Sequence, residues 1–169
     1  MGIKAKRKRE RSCRRNYVDH PRFGKQPIYS GARYTEDEIR SAHWRYRDES
    51  FFPETAIRAD TTKQNISMSA ITIYVDIEKQ CRDCNRWFLF FAQEQKFWFE
   101  ELQFYVDVTC VKCIECRKKE QSIKHRMHQY EALVKNENRT AKETLELKQL
   151  ALELFQLGYI KNKHKLDRF

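Results

Sequence analysis

The sequence predicts an α+β chain in three parts: an extended basic N-terminal arm, a small β-rich module closed by paired cysteines, and a C-terminal antiparallel helical pair. Three observations predict it. Ten of the first 25 residues are Lys or Arg, against Glu10 and Asp19. Two C-x2-C pairs enclose a run of β-branched and aromatic residues. Beyond Arg117 the apolar period lengthens to that of a helix.

At 169 residues the chain has the length of one domain with an arm. Its 40% hydrophobic and 13% aromatic content can fill a core, but 34% charged residues and a mean hydropathy of −0.87 leave little surplus. A core that small gains from a staple. No stretch approaches the roughly 20 apolar residues of a membrane helix, and the charged N-terminus lacks the apolar region of a secretory signal. The expectation is therefore a soluble, intracellular, cytoplasmic protein. In a reducing compartment six cysteines serve as metal ligands or free thiols rather than disulfides.

The arm, residues 1–34, carries most of the charge. Residues 1–25 account for +8 of the formal net +10, and the rest of the chain is nearly balanced. Like charges repel, so the first fifteen residues are expected to be disordered when free. Pro21, Gly24, Pro27 and Gly31 then punctuate an extended stretch, with Tyr17, Phe23, Ile28 and Tyr34 as anchors for the folded body.

A second segment, residues 35–70, opens on Thr35 and Glu38, a capping-box pair that predicts a short helix over 36–48. Ile39, Ala42, His43 and Tyr46 would share its inner face. Pro53 then breaks "FFPETAIRADTTKQNISM", which reads as an irregular, partly extended connection.

The third segment, residues 71–117, is the cysteine module. "AITIYVDI" reads as a strand leading to Cys81, "WFLFF" as a second strand, "AQEQKFWFEE" as a helical turn, and "LQFYVDVT" as a third strand ending at Cys110. The last segment, residues 118–169, is helical. Ile123, Met127, Tyr130 and Val134 mark one face. Thr140 and Glu143 form a second capping box, Leu147, Leu150, Ala151, Leu154 and Phe155 line the following helix, and Gly158 ends it.

Two residues between cysteines let both sulfurs face one ion, and structural zinc prefers a closed tetrahedron of such thiolates. Four cysteines can equally hold an iron-sulfur cluster, but nothing else in the sequence suggests redox chemistry, which favours zinc. Binding it through four thiolates would leave a net charge of about +8. Cys81 and Cys84 form the first pair. Three cysteines, Cys110, Cys113 and Cys116, compete for the second. A turn built on Cys110 and Cys113 would ask Ile114 for a left-handed conformation that β-branched residues resist. Cys113 and Cys116 on the first turn of the long helix need no unusual backbone, and the helix N-terminus favours thiolates. The expected ligands are therefore Cys81, Cys84, Cys113 and Cys116, with Cys110 a buried neighbour or a substitute. Together these features give a zinc-ribbon or treble-clef-like module.

The run C-x2-C, "FLFFAQEQKFWFEE", "CIECRKK" resembles a probable zinc-ribbon domain family of uncharacterised bacterial proteins. Glu94, Gln95 and Phe97 match its E-Q-x-[FY] turn, and Cys113, Cys116 and Arg117 match its closing C-x2-C-R. Cys110 and the longer spacer depart from it. The resemblance implies zinc binding and brings no activity.

Four thiolates fill every position on the ion, so the expected site is structural and the protein is not expected to be an enzyme. A zinc-flanked nuclease would place histidines between the cysteine pairs, and residues 85–112 contain none. The four glycines, at 2, 24, 31 and 158, cannot build a glycine-rich phosphate loop in the folded region. Glu94, Glu100 and Glu101 read as solvated or lysine-paired carboxylates, and His125 and His128 as surface or interhelical groups. Phosphates are the natural ligands of the arm. Lys6, Arg7, Lys8, Arg9, Arg11, Arg14 and Arg15 would contact them, and Tyr17 would stack on an unpaired base. The leading expectation is a zinc protein that binds nucleic acid, with RNA or a ribonucleoprotein favoured. The alternative is a protein-interaction adaptor using the aromatic module or the C-terminal helices. No small-molecule substrate and no membrane partner are expected.

Overall fold

In the computed structural model the described residues are 15–66 and 68–162. The expectations for the first fourteen residues, Cys13 included, lie outside them. The chain divides into two compact units, with the boundary between Cys116 and Arg117.

The first unit is built on an antiparallel sheet in the order β1 (Ser50–Arg58), β2 (Ile73–Gln80), β3 (Trp87–Phe90). β2 is central and buried almost throughout. Val75, Ile77, Phe88 and Phe90 join Ile39, Tyr46, Phe99 and Val106 in the larger core. Tyr17, Phe52, Leu89 and Phe91 form a second cluster, against which Phe23, Ile28 and Trp87 pack. The root of the arm thus supplies part of this cluster. The Val18 N–H donates to the Trp87 carbonyl at 2.8 Å, extending the β3 edge. A sheet edge left open would present unpaired backbone groups, so this contact also protects it.

Three expectations need correction. Residues 50–58 form a strand, not an irregular connection: Pro53 sits on an edge strand where the register shifts between Phe52 and Ile57, a place proline tolerates. There the Thr55 hydroxyl donates to the Phe52 carbonyl and accepts from the Asp76 N–H, replacing lost ladder bonds. Residues 102–109 do not form a third strand of the module. The alternating pattern finds no strand to pair with beyond one bridge, Asn65 to Tyr105, and Gln103 turns the backbone at φ 52°. The single helix expected over 36–48 is two pieces, α1 (Glu36–Ala42) and a 3-10 turn at Trp44–Arg47. His43 lies between them in extended conformation, and its Nδ1 accepts the Arg45 N–H to start the second piece. The capping box of Thr35 and Glu38 is present as expected.

After β3 the chain enters α2 (Ala92–Lys96) and a π-helical turn at Phe97–Glu101. Gln95 locks this segment to the sheet. It is fully buried, and its side-chain amide donates to the Val75 carbonyl at 2.7 Å and to the Phe90 carbonyl at 2.9 Å.

The second unit holds most of α3 (Ile114–Lys135) and all of α4 (Ala141–Gln156). Arg139 caps the end of α3 by donating to the Leu133, Val134 and Asn136 carbonyls, satisfying acceptors the helix leaves over. Ile123, Leu147, Leu150, Ala151 and Leu154 are buried, and Arg126 reaches Glu153 at 3.5 Å, so the helices fold back on each other. Thr140 and Glu143 form the second capping box. Gly158 closes α4 at φ 79° with the Tyr159 N–H bonded to the Leu154 carbonyl, the left-handed helix stop that glycine favours.

Candidate metal centre

The link from β2 to β3 is a tight knuckle. The Cys81 N–H donates to the Arg86 carbonyl and the Asn85 N–H to the Cys81 carbonyl, each at 2.9 Å. The chain reverses through Asn85 at φ 56°, a left-handed position that asparagine tolerates better than most residues. That reversal turns Cys81 and Cys84 toward one point. The second pair comes from the start of α3, with Cys113 just before the helix and Cys116 in its first turn. The Arg82 N–H donates to the Val111 carbonyl at 2.9 Å, Lys112 pairs with Asp83 at 3.1 Å, and Arg86 pairs with Glu115. These three links clamp the knuckle to the segment that carries the second pair.

The four sulfurs of Cys81, Cys84, Cys113 and Cys116 all lie within 4.8 Å of one another, with Cys84 and Cys113 3.8 Å apart. A regular tetrahedron with metal–sulfur bonds of about 2.3 Å has an edge of about 3.8 Å. The cluster therefore fits a tetrahedral ion with little movement. None of the five described cysteines is in a disulfide. Cys110 is buried and donates its thiol to the Lys112 carbonyl at 3.4 Å, outside the group of four.

The electrostatics fit the same purpose. Burial opposes ionisation of Cys81, but the N–H groups of Cys113, Cys84 and Asp83 outweigh it and bring the thiol down to about 6. The Cys113 N–H lies 3.3 Å from the Cys81 sulfur. Burial pushes the Cys113 and Cys116 thiols up, and the neighbouring Cys81 and Cys84 sulfurs push the same way. A cation at the centre reverses that order, because a coordinating thiol is deprotonated outright. Arg86, held by Glu115 and reaching toward Cys84, places a fixed positive charge beside the cluster.

One cysteine pair thus comes from a knuckle and the other from the start of a helix. Residues 75–125 match the probable treble clef domain family. The treble clef domain covers β2, the knuckle, β3, α2 and the first half of α3, and leaves the arm, β1 and α4 outside it. It is the second of the two module types that the cysteine spacing allowed. No curated protein and no solved structure matches the chain.

The remaining expected site residues divide clearly. Lys6, Arg7, Lys8, Arg9, Arg11 and Arg14 lie outside the described residues. Tyr17 requires a correction. Its ring is 3% exposed and its hydroxyl donates to Glu78 at 2.5 Å, so it packs in the core and offers no stacking face. Arg15 is likewise engaged, paired with Glu78 at 2.5 Å and stacked 3.8 Å above the Trp87 ring. His125 and His128 are exposed on α3. Glu94 is buried rather than solvated, beside His20 at 3.6 Å, whereas Glu100, also buried, is lysine-paired as expected, bonded to Lys96 at 2.7 Å.

Sequence reasoning missed the groups that position the treble clef domain. Asp76 accepts the Ala92 N–H at 2.6 Å and the Ile28 N–H at 2.9 Å, joining the start of α2 to the arm. Glu78 receives Tyr17 and Arg15 on the same strand. A signal existed: two acids alternate with Val75 and Ile77 in a strand that is buried almost throughout, and buried carboxylates demand donors.

Proposed function

We propose that this chain is a non-enzymatic protein with a structural zinc ion in its treble clef domain, and that it binds nucleic acid, RNA favoured, through the basic arm. Zinc would be held by Cys81, Cys84, Cys113 and Cys116. Four thiolates leave no open position for water or substrate, which supports a structural rather than catalytic ion. The reducing cytoplasm, where thiols stay available to metal, is the compartment this reading favours.

The observation that carries the nucleic-acid reading is the segregation of charge. Residues 1–25 hold ten basic side chains against two acidic ones, whereas residues 26–116 hold 11 basic against 15 acidic. Arg15, Tyr17 and Val18 tie the root of the arm to the sheet. The contacts proposed for phosphate are therefore Lys6, Arg7, Lys8, Arg9, Arg11 and Arg14, without Arg15 or Tyr17. A filter-binding titration against RNA and DNA over a salt series tests this: affinity should fall steeply with salt and collapse when these six residues become glutamine. Affinity indifferent to salt or to those substitutions would reject it.

The adaptor reading has an observation of its own. Phe97, Leu102, Phe104 and Tyr105 are all more than 40% exposed along one short segment of the treble clef domain, an apolar density that suits a protein partner. Copurification with and without nuclease separates the two, because a protein partner survives the nuclease.

A further inference from the structure

The second unit carries a basic surface that the arm does not explain. Residues 117–169 hold 13 Lys and Arg against seven Asp and Glu. On α3 the outward residues Lys118, Gln121, Lys124, His125, His128 and Lys135 are all exposed. At 3.6 residues per turn they share about 120° of the helix circumference, along a length of about 25 Å. Between Lys118 and Lys135 neither an acidic residue nor an apolar one larger than Ala132 falls within that arc. Ile123 and the half-buried Met127 and Tyr130 occupy the opposite side. Within the described residues Lys118 and Lys135 form no ion pair, and Lys124 meets only Glu120, at 3.1 Å in an exposed i,i+4 pair, which contributes little.

We propose that this face of α3 is a second RNA-binding surface. Its lysines contact phosphates, and the flat side chains between them, His125, His128 and Gln121, stack on and hydrogen-bond to unpaired bases. A helix face with cations, rings and an amide but no apolar residue larger than alanine is complementary to a charged strand whose bases are open. The inference rests on the nucleic-acid reading above for its class of partner, but it uses none of the arm's residues.

The test uses the full chain loaded with zinc and a fluorescein-labelled single-stranded RNA of about 20 nucleotides, longer than a site of this size occupies. Four proteins are compared: the wild type, the arm variant with its six basic residues changed to glutamine, a helix variant (Lys118→Gln, Lys124→Gln, Lys135→Gln), and a control (Lys63→Gln, Lys142→Gln, Lys148→Gln) that loses equal charge elsewhere. Glutamine is nearly as good a helix former as lysine, so circular dichroism and metal content should stay at wild-type values. The helix variant is expected to bind about tenfold more weakly at physiological salt, with the salt slope reduced by about 2, close to 0.7 per lost phosphate contact. The control should keep at least most of the wild-type affinity. A His125→Ala, His128→Ala variant should weaken binding while leaving the salt slope unchanged, and duplex DNA should compete poorly.

An unchanged helix variant overturns the proposal. So does a control that loses as much affinity as the helix variant, since that loss would reflect overall charge. Duplex DNA competing as well as the single strand also overturns it. If the arm variant binds normally and the helix variant does not, the arm reading fails and this one stands. A wild-type chain that binds no RNA ends both.

Discussion

The hydroxyl of Tyr17 donates to the carboxylate of Glu78 at 2.5 Å, across 61 residues of sequence, and so fixes the root of the arm to the middle strand of the sheet. Glu78 is 7% exposed and shares its second oxygen with Arg15. A carboxylate in that position needs donors, and the arm supplies them.

Tyr17→Phe should therefore lower stability by about 1.5–3 kcal/mol, the usual contribution of a hydrogen bond to a charged group. Urea unfolding checks this. Because the ring is already buried, the RNA binding proposed above should be unchanged in the folded variant. A marked loss of binding without a loss of stability would mean that Tyr17 leaves the core to meet a base.

Metal content provides the second prediction. If the proposed zinc ion holds the knuckle to the start of α3, serine at position 81, 84, 113 or 116 should leave less than one equivalent of bound metal and lower the thermal midpoint. Cys110→Ser should retain a full equivalent, since its sulfur bonds to the Lys112 carbonyl instead. Elemental analysis of the five purified variants is sufficient. Loss of metal from the Cys110 variant would move the second pair three residues upstream, to Cys110 and Cys113.

The clustering of Cys81, Cys84, Cys113 and Cys116 was legible from spacing because the chemistry is local: C-x2-C lets two sulfurs face one point, and a helix start suits Cys113 and Cys116 without strain. Both capping boxes and the stop at Gly158 were legible for the same reason. Strand β1 was not. Its Pro53 reads as a break, and only a bulge filled by the Thr55 hydroxyl makes it compatible with a sheet. The segment 102–109 misled in the opposite direction, since alternation predicts a strand but says nothing about whether an edge is available. Tyr17 shows a third limit. An aromatic next to arginines reads as a base platform until Glu78, far along the chain, is seen to need its hydroxyl.

Gln95 carries the third prediction. Its amide bridges the Val75 and Phe90 carbonyls from adjacent strands, with Tyr46 near its oxygen at 3.4 Å. Gln95→Leu preserves much of the volume but orphans both carbonyls in the core. A cost of about 1–3 kcal/mol for each follows from leaving a buried acceptor unmade. Gln95→Glu should also be poorly tolerated, because it removes the donor and brings a charge into the core. Chemical denaturation should therefore rank both well below the wild type, and a neutral Leu variant would contradict the bridging role.

The fourth prediction concerns pH. Burial raises the Asp76 carboxyl from 3.8 to about 6, against the two backbone N–H groups it accepts from Ala92 and Ile28, and Glu54 adds to the rise. Folded protein then binds this proton more tightly than unfolded chain, so the contribution of Asp76 is most favourable below pH 4 and declines as pH rises toward 6. The full swing is at most about 3 kcal/mol. Exposed carboxylates whose values are lowered, such as Glu38 and Glu143, work in the other direction. The difference between the wild type and Asp76→Asn isolates the term, since asparagine does not titrate. Measured by urea unfolding, that difference should shift in favour of the wild type as pH falls from 7 to 4. A difference independent of pH would place the Asp76 carboxyl at its ordinary value and remove burial as the dominant influence on it.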